Sequence, residues 1–260
     1  MDNTVKTVRD YYDAGVQGEW NRMGGEKSMS LNNDIVKLLR QEGCDIVGFA
    51  DLRVLSKEAR QNFDYGILIA LAFTKEAMAE NKNGSPQRYS DEHDPMTRKL
   101  GELKELTAEF ISDRGYEVLK DTPASVVDRN ILRSLLPQKT VATLAGIGWI
   151  GRCAMLVTNE VGSALRLTVL LTNAPFDCGT PITKSLCPKN CTVCVDVCPG
   201  KAPLGKLWEA GVDRDEFFNA HACQTAAHTR AKSLLGIDDE SRCGLCVSNC
   251  PFTKRGLGYE

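Results

Sequence analysis

Eight of the eleven cysteines fall between Cys187 and Cys250. They read Cys187-x3-Cys191-x2-Cys194-x3-Cys198-Pro199, then a single Cys223, then Cys243-x2-Cys246-x3-Cys250-Pro251. A 4Fe–4S cluster takes four thiolates, and two-cluster electron carriers use short cysteine spacings closed by Cys-Pro, in which the fourth cysteine crosses to the other cluster. On that pattern one cluster takes Cys187, Cys191, Cys194 and the distant Cys250. The second takes Cys198, Cys223, Cys243 and Cys246. The crossing brings the two clusters close enough to exchange an electron. The first gap is three residues rather than two, which makes Cys178 the substitute ligand for Cys187. The competing chemistry is two four-cysteine zinc sites, but the Cys-x3-Cys-Pro closure, present twice, favours iron–sulfur. No histidine follows either Cys-x2-Cys, which excludes covalent haem at these positions. Cys44 and Cys153 read as small buried hydrophobes.

A second constellation is Gly146-Ile-Gly148-Trp-Ile-Gly151, followed by Arg152. It matches G-x-G-x-x-G, but a dinucleotide site needs a strand before it and a helix after it. Here the order is reversed, with helix-like Thr140 to Ala145 first and strand-like Ala154 to Thr158 next. The glycines read instead as close backbone approach to something flat, with Trp149 as a wall and Arg152 available for an anion. Asp91-Glu92-His93 falls short of the corrinoid motif D-x-H-x-x-G because Met96 holds the glycine position, so His93 reads as a loop histidine.

The elements that must hold these residues follow from hydrophobic pattern and punctuation. Ser30 is the expected N-cap of a helix carrying Ile35, Leu38 and Leu39 that stops near Gly43. Asp45 to Ala50 reads as a strand, and a short polar helix is expected to about Asn62. Tyr65 to Phe73 is a continuous apolar run, as in a strand buried on both faces. A loop is expected from Asn81 to Asp94, then a helix from Pro95 to Arg114, with proline in its first turn and Gly115 past its end. Strands are expected at Ala154 to Thr158 and Ala164 to Leu171. Asp213-x-x-Glu216 resembles a capping box that opens a helix holding Cys223, stopped by Gly236. Helices alternating with strands predict an α+β sandwich over residues 30–180, cluster-bearing loops over 181–260, and a polar N-terminal extension over 1–29 that includes Tyr11, Tyr12 and Trp20.

The 260 residues carry a net charge of −2, with 42% hydrophobic and 25% charged residues. That balance is ordinary for a globular protein and points to neither nucleic acid nor an anionic membrane. No apolar run approaches the roughly 20 residues of a membrane span. With Asp2 and no apolar segment at the N-terminus, a cytoplasmic location is expected, where clustered thiols are metal ligands rather than disulfides.

The run from Lys139 to Arg152, the Leu-Val-Thr strand after it, Gly162 and the Arg166 to Leu171 strand resemble epoxyqueuosine reductases and the related reductive dehalogenases. Asp45 to Asp51 resembles their early strand, and the double cluster follows at the matching place. The resemblance implies a nitroreductase-like α+β sandwich followed by a ferredoxin-like double-cluster domain. It also implies a cobalamin between them, with Lys139, Gly148, Trp149, Gly151 and Arg152 facing the cofactor. Three departures qualify it. Where the reductases carry the Asp of an Asp-x-x-Pro proton donor this chain has Leu132, with Asp121 and Asp128 out of register. The sequence stops at Glu260 without tRNA-gripping helical repeats, and it carries no twin-arginine leader. The expectation is therefore a short relative whose substrate is not queuosine-containing RNA.

Three functions follow. The first is an iron–sulfur reductase that feeds a corrinoid. The second places a flavin (FMN) in the same fold. The third is an electron-transfer activator that reduces a corrinoid protein. Expected partners are a low-potential donor of ferredoxin or flavodoxin type and a small-molecule substrate or corrinoid protein. A second copy of the chain in a homodimer is also expected, with no nucleic acid and no membrane.

Overall fold

The computed structural model describes residues 25–124, 127–238 and 241–260. Tyr11, Tyr12 and Trp20 of the expected extension lie outside them. The fold is α+β. Its centre is a four-stranded antiparallel sheet of β1 (Ile46–Asp51), β2 (Tyr65–Ala72), β3 (Val118–Leu119) and β6 (Leu165–Thr172), in the order β1-β2-β6-β3. A separate two-stranded ribbon pairs β4 (Trp149–Ile150) with β5 (Leu156–Val157).

The apolar run that marks β2 in the sequence has a simple cause. Successive side chains of a strand point to opposite faces, and both faces are covered. Ile67, Ile69 and Leu71 enter one apolar cluster with Leu31, Ile35, Leu39, Leu103 and Ile111. Leu68 and Ala70 enter another with Leu52, Val141, Leu144 and Leu171. The first face is covered by helices α1 (Gly25–Gln41) and α3 (Gln87–Ser112), the second by α4 (Gln138–Leu144).

Three local expectations change. Helix α1 begins at Gly25, so Ser30 lies inside it, while Gly43 at φ +84° ends it as expected. No helix forms between β1 and Asn62; Gln61 and Asn62 take left-handed backbone in a run of turns. The expected loop from Asn81 to Asp94 holds instead the last turn of α2 (Lys75–Lys82), capped by Thr74, and the first two turns of α3. Pro95 therefore sits inside α3 rather than at its first turn. Proline removes a backbone donor and disfavours a helix interior, but contacts made by the first two turns hold them helical: Phe73 packs on Tyr89 with ring centroids 4.8 Å apart, Ser90 is buried, and Glu92 accepts from the Thr74 backbone at 3.0 Å.

The cysteine segments form the C-terminal part. They are short: α5 (Val193–Asp196), α7 (Leu245–Ser248) and α8 (Pro251–Leu257), with one longer helix, α6 (Ala220–Leu235). The Asp213–Glu216 capping box is present, but it opens a three-residue 3-10 turn; Asn219 caps α6 by accepting from Ala222 N at 3.0 Å. Gly236 ends α6 at φ +67°, and Cys223 lies within it. No helix among the described residues is long and apolar enough to cross a membrane.

Candidate metal centre

The ribbon β4–β5 carries the glycine segment into the cysteine loops. Its tip closes through Gly151 N to Met155 O and Ala154 N to Gly151 O, both 2.9 Å, with Ala154 in left-handed backbone. A Cβ at Gly148 would overlap the Val157 carbonyl across the ribbon, and one at Gly151 would lie 2.9 Å from Val157 Cγ2. The glycines are thus required by the ribbon's own closeness.

The side chains of this ribbon face the cysteines. Trp149 is buried, packs edge-on against Phe252 at 4.9 Å between ring centroids, and its indole Nε1 donates to Cys187 Sγ at 3.4 Å. Arg152 donates to Lys189 O at 2.6 Å, Pro188 O at 3.5 Å and Gly205 O, and so pins the Cys187–Cys191 loop. Lys139 reaches Ala154 O at 2.5 Å; burial lowers its pKa, and the thiols of Cys153 and Cys223 oppose that shift. Gly148, Gly151, Trp149, Arg152 and Lys139 therefore build the floor of the cysteine region, and Gly151 and Arg152 line the cysteine cavity itself. They do not fit as the seat of a corrinoid, and Arg152 is not free for an anion.

All eleven cysteines are free thiols. One cavity is lined by Cys187, Cys191, Cys194 and Cys250, which come together across more than sixty residues of chain, and also by Cys246 and Cys153. A second set forms around α6, where Cys198 and Cys243 both act electrostatically on Cys223. Cys246, which the spacing assigns to the second set, also lines the first cavity. Cys178 is not among them. It packs on the sheet cluster beside Phe176, and burial raises its pKa to about 12. It is no substitute for Cys187.

Burial also raises the thiols of Cys223, to about 11, and of Cys243 and Cys250. Left alone, these groups stay protonated at neutral pH. A bound cation reverses that logic and takes them as thiolates, releasing protons. Among the described residues no three His, Cys, Asp or Glu side chains close on one point as a single metal ion requires. A cubane holds its four ligands at separate corners, so its thiols ring a cavity instead. The donor set and its spread fit 4Fe–4S chemistry.

Two groups near the thiols carry no sequence motif. Tyr89 is half-buried beside Gly244, close to Cys243 and Cys246, with its pKa pushed up by desolvation to about 12. Cys153, read from the sequence as a packing residue, lies against Cys194 and Cys246. Its place directly after the glycine segment was the available signal. His93 is not a ligand: Arg166 and Arg242 both contact its ring, the latter at 3.2 Å, and together with burial they lower its pKa to about 4. His221 is exposed on α6 and His228 half-buried.

No family model matches the chain. It is 29% identical over 219 residues to the epoxyqueuosine reductase of Lactococcus garvieae (strain Lg2), covering 78% of this chain and 56% of that protein. It is 32% identical over 203 residues to the epoxyqueuosine reductase of Listeria monocytogenes, covering 72% and 48%. This chain is a relative of the epoxyqueuosine reductases. It spans about half the length of the curated reductases it matches. A crystal structure of selenomethionine-labelled epoxyqueuosine reductase superposes with a TM-score of 0.56 at 21% identity, over 87% of this chain and 66% of that one. A catabolic reductive dehalogenase superposes at 0.57 and 18%, over 86% and 32%. The expected α+β fold of the reductases and dehalogenases is thus the fold observed. Another structure in this group is epoxyqueuosine reductase with an epoxyqueuosine-modified tRNA-Tyr stem loop, at TM-score 0.56 and 23% identity, over 87% and 66%. That finding overturns the exclusion of nucleic acid, and of queuosine-containing RNA, that net charge and chain length had suggested. A net charge of −2 describes the whole chain and says nothing about a local RNA-binding face.

Proposed function

We propose that this chain is an iron–sulfur reductase of the epoxyqueuosine reductase and reductive dehalogenase type, in which residues 181–260 hold two 4Fe–4S clusters and residues 30–180 hold the electron acceptor. The observation that carries the reading is the cavity ringed by Cys187, Cys191, Cys194 and Cys250. Cys250 arrives there from the far end of the chain, as a crossed ligand would. Cys198, Cys223 and Cys243 supply the second set, with Cys246 as its fourth member at the wall between the two. Clusters so held would supply single electrons at low potential, taken from a ferredoxin- or flavodoxin-type donor in a reducing cytoplasm. The chain's own residues set the conditions: Trp149 donates a hydrogen bond to Cys187, Arg152 ties the first ligand loop to the ribbon, and the apolar side chains around Trp208, Phe217 and Phe218 keep water away.

The names of the curated relatives make an epoxyqueuosine-bearing tRNA the first substrate to test. A cobalamin is the acceptor that the family resemblance supplies. Lys139, Gly148, Trp149, Gly151 and Arg152 lie against the cysteines and leave no seat for it on the ribbon.

Anaerobically purified protein is expected to be brown, with about eight iron and about eight acid-labile sulfide per chain. Cys250→Ser should leave about half of each. Colourless protein with stoichiometric zinc would overturn the reading.

A further inference from the structure

The chain places nine thiols where two cubanes need eight. The ninth is Cys153, at the tip of the β4–β5 ribbon. It is 4% exposed and lines the first cavity together with Cys194 and Cys246, its thiol lying against theirs. On the two-cluster reading, on which this inference rests, Cys194 belongs to one cluster and Cys246 to the other. Cys153 therefore sits between a ligand of each.

We infer that Cys153 is a positioning residue whose single S–H donates a hydrogen bond to one ligand sulfur, that of Cys194 or of Cys246, and that it tunes the electron transfer between the two clusters without ligating either. Three observations support donation over ligation. Ligands of one cubane occupy separate corners, whereas Cys153 is within hydrogen-bonding reach of Cys194. The first cavity has its four thiols without it. The turn that presents it is fixed by the Gly151–Met155 and Ala154–Gly151 hydrogen bonds, and Lys139 buttresses the carbonyl of the next residue, Ala154. The thiol is thus delivered by the same ribbon that, through Arg152, fixes the first ligand loop.

Hydrogen bonds to cluster sulfur are among the factors that set the potential. A donor stabilises the more negative, reduced state. Losing it should make reduction harder, by about one modest hydrogen bond.

The test is redox titration of anaerobic holoprotein, followed by electron paramagnetic resonance, for wild type, Cys153→Ala and Cys153→Ser. Iron and sulfide contents are measured on the same samples. In Cys153→Ala the metal content is expected to stay at the wild-type level, while the reduction equilibrium of at least one cluster falls about fivefold, roughly 40 mV at 59 mV per tenfold for one electron. Cys153→Ser keeps an O–H donor and is expected to recover most of the shift. Iron loss in Cys153→Ala would make Cys153 a ligand and overturn the inference. So would unchanged potentials with full iron. Wild-type protein that carries no iron would instead remove the two-cluster reading beneath it.

Discussion

The sheet and the cysteine loops are held together by different means. In the sheet, Ile67, Leu68 and Ile69 are wholly buried, and each such side chain contributes roughly 1.5–3 kcal/mol when fully removed from water. In the cysteine loops, α5 has no buried residue, and the eight proposed ligand thiols are all only half-buried. Leu186 and Leu204, which flank the first ligand run, are 55% and 51% exposed. Elements of four residues do not nucleate on their own. The sheet can therefore stand on its apolar contacts, whereas the loops share one smaller apolar cluster around Trp208, Phe217 and Phe218 and, on the proposed reading, take the rest of their support from bonds to the clusters.

The largest expected effect tests that contrast. Chelating iron under reducing conditions should melt the loops and spare the sheet, because metal binding and local folding are one event in such sites. Amide exchange is the measurement. Amides of residues 187–204 and 243–250 should lose protection by orders of magnitude, while those of β2 and β6 keep theirs. Equal loss in both regions would show that the sheet depends on the clusters too.

The ribbon β4–β5 joins the two regions, and its tight packing gives the next effect. Gly148→Ala should destabilise the protein by about 2–3 kcal/mol, because the new methyl meets a backbone carbonyl that cannot move without opening the ribbon. Gly101→Ala is the control. It lies inside α3 with open space around it, and should stabilise by about 0.5–1 kcal/mol. Denaturant midpoints decide both. A harmless Gly148→Ala would mean that the ribbon is not a fixed joint.

The same contrast separates what was legible in the sequence from what was not. β2 was legible because burial on two faces leaves an unbroken apolar run. The cysteine spacing stands out in the sequence because cubane chemistry repeats it, and the fold gathers Cys187, Cys191, Cys194 and Cys250 around one cavity. The first two turns of α3 were not. Asn, Gly, Ser and Pro near Pro86 read as a loop, and the contacts that make it helical, Tyr89 on Phe73 and Glu92 on Thr74, come from other elements. The direction of Trp149, Arg152 and Lys139 was also hidden. The family likeness put this segment near a cofactor, but which side each residue faces depends on the ribbon's pleat and on the loops folded against it. Cys153 escaped for a related reason: a cysteine outside the spaced runs looks like packing until the fold lays it against Cys194 and Cys246.

The smallest expected effect lies where the two regions touch a second time. His93 on α3 meets Arg242, the residue before Cys243; Arg242 Nη2 also donates to Asp94 at 2.8 Å, and Arg166 of β6 contacts the ring from the sheet side. Burial, and then the two guanidiniums, hold the imidazole neutral, with its pKa lowered from 6.5 to about 4. In the unfolded chain the ring takes a proton as the pH falls below about 6.5, while the folded ring does not. Between about pH 6.5 and 4 the unfolded state therefore binds more protons, and stability falls as the pH falls. Above that window His93 has no effect. From pH 7 to 5 the loss should be roughly 2 kcal/mol. His93→Gln keeps a hydrogen-bonding side chain and removes the titration, so its denaturant midpoint should vary less over the same range. A variant with the wild-type slope would assign the pH dependence to other groups. A flatter slope would assign the pH dependence to His93, kept neutral where Arg166 of the sheet and Arg242 beside the cysteine loops meet its ring.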